Sequence, residues 1–162
     1  MEMLLPIVFA VLAALGPAPG AGETKTTIGA VEEALLLPWG VALPARVDTG
    51  AARSSLDARD VRIDGGEVTF LLPEQYGGLS LRLPLYEMAS FRTSEGEAVR
   101  PVVSVELCLG ARRIRALVSL NDRRYMAYPL LLGRSFLADG FLVDVSRSHV
   151  LKPACKGIQG RP

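Results

Sequence analysis

Apolar and polar positions alternate along most of this chain in short runs separated by turn residues, with little of the i, i+3, i+4 spacing of an amphipathic helix. An apolar stretch from Ile28 to Pro38 leads in, and Val41 to Val47 (VALPARV) runs directly up to Asp48. Val61 to Ile63 and Val68 to Leu72 flank Asp64-Gly65-Gly66, a hairpin turn signal. Leu79 to Tyr86 alternates. Val99 to Leu109 places Val103, Val105, Leu107 and Leu109 on one face, and Gly110-Ala111 turns the chain into Arg112 to Leu120, where Ile114, Ala116 and Val118 share a face. These two segments predict a long hairpin. One short helix is predicted over Arg134 to Ala138, stopped by Gly140, with strands at Phe141 to Val145 and His149 to Leu151. The pattern predicts an all-β domain over residues 23–152, a small closed barrel with one short helix, followed by a flexible tail over 153–162.

The leading segment is of another kind. Met3 to Leu15 is an apolar run of 13 residues, short of the roughly 20 that cross a bilayer core. With the small residues Gly16, Ala18, Gly20, Ala21 and Gly22 behind it, the run reads as the apolar part of a signal peptide over residues 1–22. A periplasmic or secreted location follows as an expectation. No Lys or Arg precedes the run, and Glu2 is acidic. An uncleaved signal is therefore the alternative and the one membrane association expected. Cys108 and Cys155 are the two cysteines. An oxidising compartment would allow them to pair, and the sequence leaves open whether they meet.

Eighteen basic residues against 17 acidic ones give the chain no electrostatic reason to prefer nucleic acid. Fifteen of the basic residues are Arg, whose planar fork matches carboxylates, so acidic peptides are compatible partners. A solvated Arg-rich surface is the plainer explanation.

Candidate chemistry begins at Asp48-Thr49-Gly50-Ala51, directly after an apolar strand. A carboxylate at a strand end on a tight turn can be aimed into a cleft. Gly50 lets backbone come close, Thr49 has a hydroxyl to lock the turn, and Ala51 keeps it compact. An ordinary Asx turn explains the same four residues. Two further segments shift the balance: Pro129 to Leu137 (PLLLGRSFL) carries an apolar run into Gly133 and a short helix, and Phe91 to Val99 (FRTSEGEAV) offers a turn ahead of the long hairpin.

Together these segments resemble the bacterial retropepsin-like family long labelled an ATP-dependent zinc protease and associated with glutamate ligases of the RimK type. The resemblance runs from about Thr27 to Leu151, through ARVDTGAARSSLDA, RTSEGEAVRPVV, LCLGARR, YPLLLGRSFL and FLVDVSRSHVL. It implies a single-lobe acid-protease barrel with Asp48 as the catalytic carboxylate and Thr49 and Gly50 as its supporting turn. A single lobe supplies one such Asp, so a homodimer pairing Asp48 from two copies is implied. Two neighbouring carboxylates share a proton and activate a water between them. Phe91 to Val99 would close over a peptide substrate, with Ala51, Arg92, Thr93, Ser94 and Gly96 as its contacts. A solvated hairpin is the competing reading of Arg92 to Gly96. Family members usually carry His where this chain has Asp57.

The metal in the family label does not carry over. A catalytic zinc takes three protein ligands, and one His, His149, with two dispersed Cys gives no such set. No phosphate-binding G-x-x-x-x-G-K-[ST] motif occurs. No cofactor is expected. Two other functions compete with the peptidase: a catalytically inactive peptide- or partner-binding module of the same fold, and an amide hydrolase limited to glutamate-type linkages.

Overall fold

A computed structural model describes residues 24–93, 96–138 and 140–155. The expected signal peptide over residues 1–22 lies outside the described residues. So do Ser94 and residues 156–162 of the expected tail.

Eleven strands and one short helix follow one another along the described chain. They are β1 (Thr26–Ile28), β2 (Val31–Leu37), β3 (Val41–Val47), β4 (Ser54–Asp57), β5 (Arg59–Asp64) and β6 (Glu67–Leu71). After a 3-10 turn at Glu74–Tyr76 come β7 (Ser80–Thr93), β8 (Gly96–Leu109), β9 (Arg112–Asn121), β10 (Leu130–Leu132), the helix α1 (Arg134–Leu137) and β11 (Phe141–Val143). The hairpin signal at Asp64-Gly65-Gly66 is the β5–β6 turn, where both glycines take positive φ (56° and 82°). Val103, Val105, Leu107 and Leu109 are all buried, as their shared face requires. They pack with Leu36, Leu43, Leu56, Phe70, Val118, Leu130 and Leu132 in one core. Each such side chain contributes about 1.5–3 kcal/mol on burial.

Nine strands form one sheet in the order β2-β3-β10-β4-β9-β8-β7-β6-β5. The expectation of a closed barrel is corrected here. The two end strands of the sheet, β2 and β5, do not pair with each other. The reason lies in β8, which is 14 residues long and shares one edge between two neighbours. Its first half pairs with β7, up to Leu85 opposite Val103, and its last four residues pair with β2, from Glu106 opposite Leu37 to Leu109 opposite Ala34. β2 thus returns onto the middle of the sheet, and β7, β6 and β5 run on past it as an open flange. β1 and β11 form a separate parallel pair.

The C-terminal stretch departs from expectation in two ways. His149 to Leu151 is not a strand. His149 takes a φ of 53° and gives its N–H to the Val31 carbonyl. The next two N–H groups go to a side chain: fully buried Glu32 accepts from Val150 (3.1 Å) and Leu151 (3.0 Å), and also from Gly29 (2.6 Å). A carboxylate thus stands where a neighbouring strand would. Cys108 and Cys155, whose pairing the sequence left open, form a disulfide, and Ala154 donates to the Gly110 carbonyl. The first residues of the expected flexible tail are thus tied to the β8–β9 turn.

Candidate active site

β10 is wedged between β3, to which it runs parallel, and β4, to which it runs antiparallel. This fixes the place where β3 ends. The Asp48 N–H bonds the Leu132 carbonyl (2.9 Å), and the chain then turns back on its own side chain. Asp48 Oδ1 accepts the N–H of Gly50 (2.9 Å) and of Ala51 (3.1 Å). A Cβ on Gly50 would sit 3.2 Å from that oxygen. Gly50 is not among the residues with positive φ, so close approach, rather than an unusual conformation, is what its missing side chain provides here. Asp48 itself is half-buried, and its Oδ2 has no hydrogen bond among the described residues.

The lock on this turn comes from the second segment. A Cβ on Gly133 would lie 2.5 Å from the Arg53 carbonyl carbon and oxygen, so β10 can run into α1 here only without a side chain. The Gly133 N–H bonds the buried Ser54 hydroxyl (3.1 Å), while Arg134 and Ser135 give their N–H groups to the carbonyls of Ala51 (2.9 Å) and Ala52 (3.1 Å). Arg134 Nη1 reaches the carbonyls of Thr49 (3.1 Å) and Gly50 (2.7 Å). The Thr49 hydroxyl, expected to lock the turn, is exposed and makes no hydrogen bond among the described residues. Arg134 does that work, and sequence reasoning missed it. The signal was available as a basic residue directly after the apolar run and glycine.

The proposed lid is the end of the β7–β8 hairpin. Beyond Leu85 and before Val102 these two strands pair only with each other. Arg92 lies on the exposed side opposite Glu97, Thr93 Oγ1 donates to the Gly96 carbonyl (3.0 Å), and Gly96 has a φ of 126°. No hydrogen bond from Arg92 or Gly96 to the Asp48 turn occurs among the described residues. An Arg53–Glu87 ion pair links the chain after the turn to the root of the hairpin. Among the described residues no three of His, Cys, Asp or Glu converge as metal ligands.

Asp57, where the family resemblance led to an expected His, is buried. Its Oδ1 accepts the Arg123 N–H (2.7 Å) and its Oδ2 accepts Arg59 Nη2 (2.8 Å). Arg123 is buried as well, and burial pushes its guanidinium pKa below the ordinary value. The charges of Asp57 and Asp48 oppose that shift, and Arg100 adds to it. Neither Arg59 nor Arg123 carried a sequence signal, because long-range pairing brings them to Asp57.

Comparison with known proteins agrees with this geometry. Proteins named "Probable alpha-L-glutamate ligase" from Parasynechococcus marenigrum and Shewanella pealeana are 33% and 31% identical over 140 and 139 residues. Those matches cover 79% and 80% of this chain but 30% of each relative, so this chain corresponds to under a third of their length. The crystal structure of a Legionella pneumophila protein of unknown function superposes with a TM-score of 0.69 at 29% identity, covering 80% of this chain and 100% of that one. The family description "Retropepsin-like aspartic endopeptidase RimB" matches residues 27–154. With the Asp48 turn, the wedged β10 and the Gly133-Arg134 lock all inside that span, the chain belongs to the RimB-like family of retropepsin-like aspartic endopeptidases.

Proposed function

We propose that this chain is an exported aspartic peptidase that works as a homodimer, with Asp48 from each copy forming the catalytic pair. One observation carries the reading: Asp48 Oδ1 is held by two backbone N–H groups, while Oδ2 is left without a partner among the described residues of a half-buried strand end. Two such carboxylates cannot both ionise at close range, so they share a proton. The ionised member takes a proton from water as that water adds to the scissile carbonyl. The protonated member gives its proton to the carbonyl oxygen. Collapse of the adduct, with a proton passed to the nitrogen, breaks the C–N bond.

The need for a second copy is supported by what surrounds the turn. Thr49 is exposed beside an open groove of about 400 Å3, also lined by Leu137, Phe141 and Leu142. Leu142 is 56% exposed on β11, which pairs only with β1 among the described residues. The disulfide supports export, since such bonds persist in oxidising compartments.

The glutamate ligases matched by this chain favour a narrower second reading, in which the bond cut joins glutamate-type residues. Asp48→Asn tests both readings. Hydrolysis of glutamate-containing peptides should fall by about 100- to 10,000-fold, with circular dichroism unchanged and sedimentation showing a dimer. Full activity in Asp48→Asn would refute Asp48 as the catalytic carboxylate, and a wild-type monomer inactive from pH 3 to 8 would leave a binding module in place of an enzyme.

A further inference from the structure

A second polar cavity, of about 170 Å3, lies at the other end of β10 from Asp48, lined by Asp57, Arg59, Gln75, Tyr76, Arg123 and Arg124 among others. β10 fixes the spacing. Leu132 bonds Asp48 at one end, and Pro129, just before the strand, accepts the Asp57 N–H (2.7 Å) at the other. Three residue steps of strand span about 10 Å. An extended peptide advances about 3.3 Å per residue, so for a peptide running beside β10 a side chain two or three residues from the bond being cut comes level with the cavity.

The groups inside are incompletely satisfied. Arg123 is 8% exposed. Its Nε donates to the Tyr128 carbonyl (3.0 Å), and its two terminal nitrogens have no partner among the described residues. Arg59 Nε is also buried without a hydrogen-bond partner. The terminal nitrogens of Arg123 are not among the fully buried side-chain atoms that lack a partner, so they open onto the cavity, where a ligand carboxylate would replace water. Asp57 cannot supply the missing acceptor, since its Oδ1 is taken by the Arg123 backbone and its Oδ2 by Arg59.

Charge selects the ligand. Arg59 pairs with Asp57, Asp122 pairs with both Arg59 and Arg124, and Arg123 lines the same cavity. Three positive charges against two negative ones leave one positive charge. A planar monoanion with two oxygens fits a guanidinium fork. The volume equals about five or six water shares of 30 Å3, enough for a carboxylate and the two methylenes behind it.

We propose that this cavity is a carboxylate subsite of the substrate cleft, in which Arg123, supported by Arg59, reads an acidic side chain near the scissile bond. The proposal rests on the peptidase reading and deepens it.

The test uses a glutamate-containing peptide and a series in which each Glu is replaced singly by Gln. Binding of the series to Asp48→Asn protein is measured by calorimetry, and cleavage by wild-type protein is measured beside it. One position should stand out, where Gln weakens binding and lowers kcat/KM by about 10- to 100-fold, mainly through KM. Adding Arg123→Gln should bring that ratio near one at that position alone, and Arg123→Lys should retain part of it. A flat series on wild-type protein, or a full Glu preference in folded Arg123→Gln, overturns the subsite. Should Arg123→Gln fail to fold, the wild-type series still decides between these outcomes, and Arg59→Gln should narrow the same ratio. Glu-selective binding without cleavage by wild-type protein would uphold the subsite and sink the peptidase reading.

Discussion

Arg134 Nη1 donates to the carbonyl oxygens of Thr49 and Gly50 at once, 3.1 and 2.7 Å away, so the first residue of α1 grips the turn that aims Asp48. The grip is exposed to water. Its effect on stability should therefore be modest, about 1 kcal/mol. Its effect on geometry should be larger, because a displaced carboxylate loses the alignment that catalysis needs. Arg134→Ala should lower kcat by about tenfold or more while the melting temperature moves by a few degrees. Arg134→Lys should recover part of the loss, since a point charge reaches carbonyls without the planar fork. Equal kcat in all three proteins would show that the turn holds itself.

Asp122 should titrate at unusually low pH. A hydrogen bond from the Arg124 side chain, and then one from its backbone N–H, lower the Asp122 pKa from 3.8 to about 2. A folded-state pKa below the unfolded one means that the associated stability is present above pH 3.8. It is lost as pH falls toward 2. Carboxyl 13C shifts followed from pH 6 to 1.5 should show this residue titrating near pH 2. Arg124→Ala should return it toward the ordinary value. A wild-type midpoint near 3.8 would contradict the pairing.

Much of the architecture was legible in the sequence because a period of two puts alternate residues on one face. Val103, Val105, Leu107 and Leu109 could be assigned to the core from spacing alone. The hairpin at Gly65-Gly66 followed from turn chemistry, and the Asp48 turn was visible because its determinants are neighbours in the chain. Sheet closure was not legible. Alternation says which face of β8 is buried but not that one of its edges serves β7 and then β2. The strand predicted at His149 to Leu151 failed for a related reason. The apolar pair Val150 and Leu151 gave the right burial tendency, but the acceptor for their N–H groups is a side chain 118 residues earlier. Arg123 and Arg59 escaped because their meaning depends on Asp57, and only the folded sheet sets that neighbourhood.

The Cys108–Cys155 disulfide closes a loop of 47 residues and ties Cys155 to a fully buried position on β8. Opening a loop of that length should cost about 2–4 kcal/mol through the greater freedom of the unfolded chain. Cys155→Ser should lower the urea midpoint accordingly. Because Asp48 and Arg134 lie on other elements, kcat should change by less than about twofold in the folded protein. A midpoint unchanged by Cys155→Ser, or by reduction, would mean that the two sulfurs do not bond in solution.

Glu32 offers the sharpest test of how the C-terminal stretch is held. It is fully buried, and its two oxygens serve the N–H groups of Gly29, Val150 and Leu151. Glu33, next in the chain, faces solvent. Glu32→Gln keeps the shape but replaces one acceptor oxygen with an NH2 group, so at least one backbone N–H meets a donor. A buried donor left without a partner costs about 1–3 kcal/mol, and here the new NH2 is a second one. Glu32→Gln should therefore destabilise the fold by about 2–4 kcal/mol, with faster amide exchange at Val150 and Leu151. Glu33→Gln should stay within about 0.5 kcal/mol of wild type. Indistinguishable unfolding curves for the two variants would mean that the carboxylate does not hold the C-terminal stretch, and that the disulfide and the core contacts of Leu151 suffice.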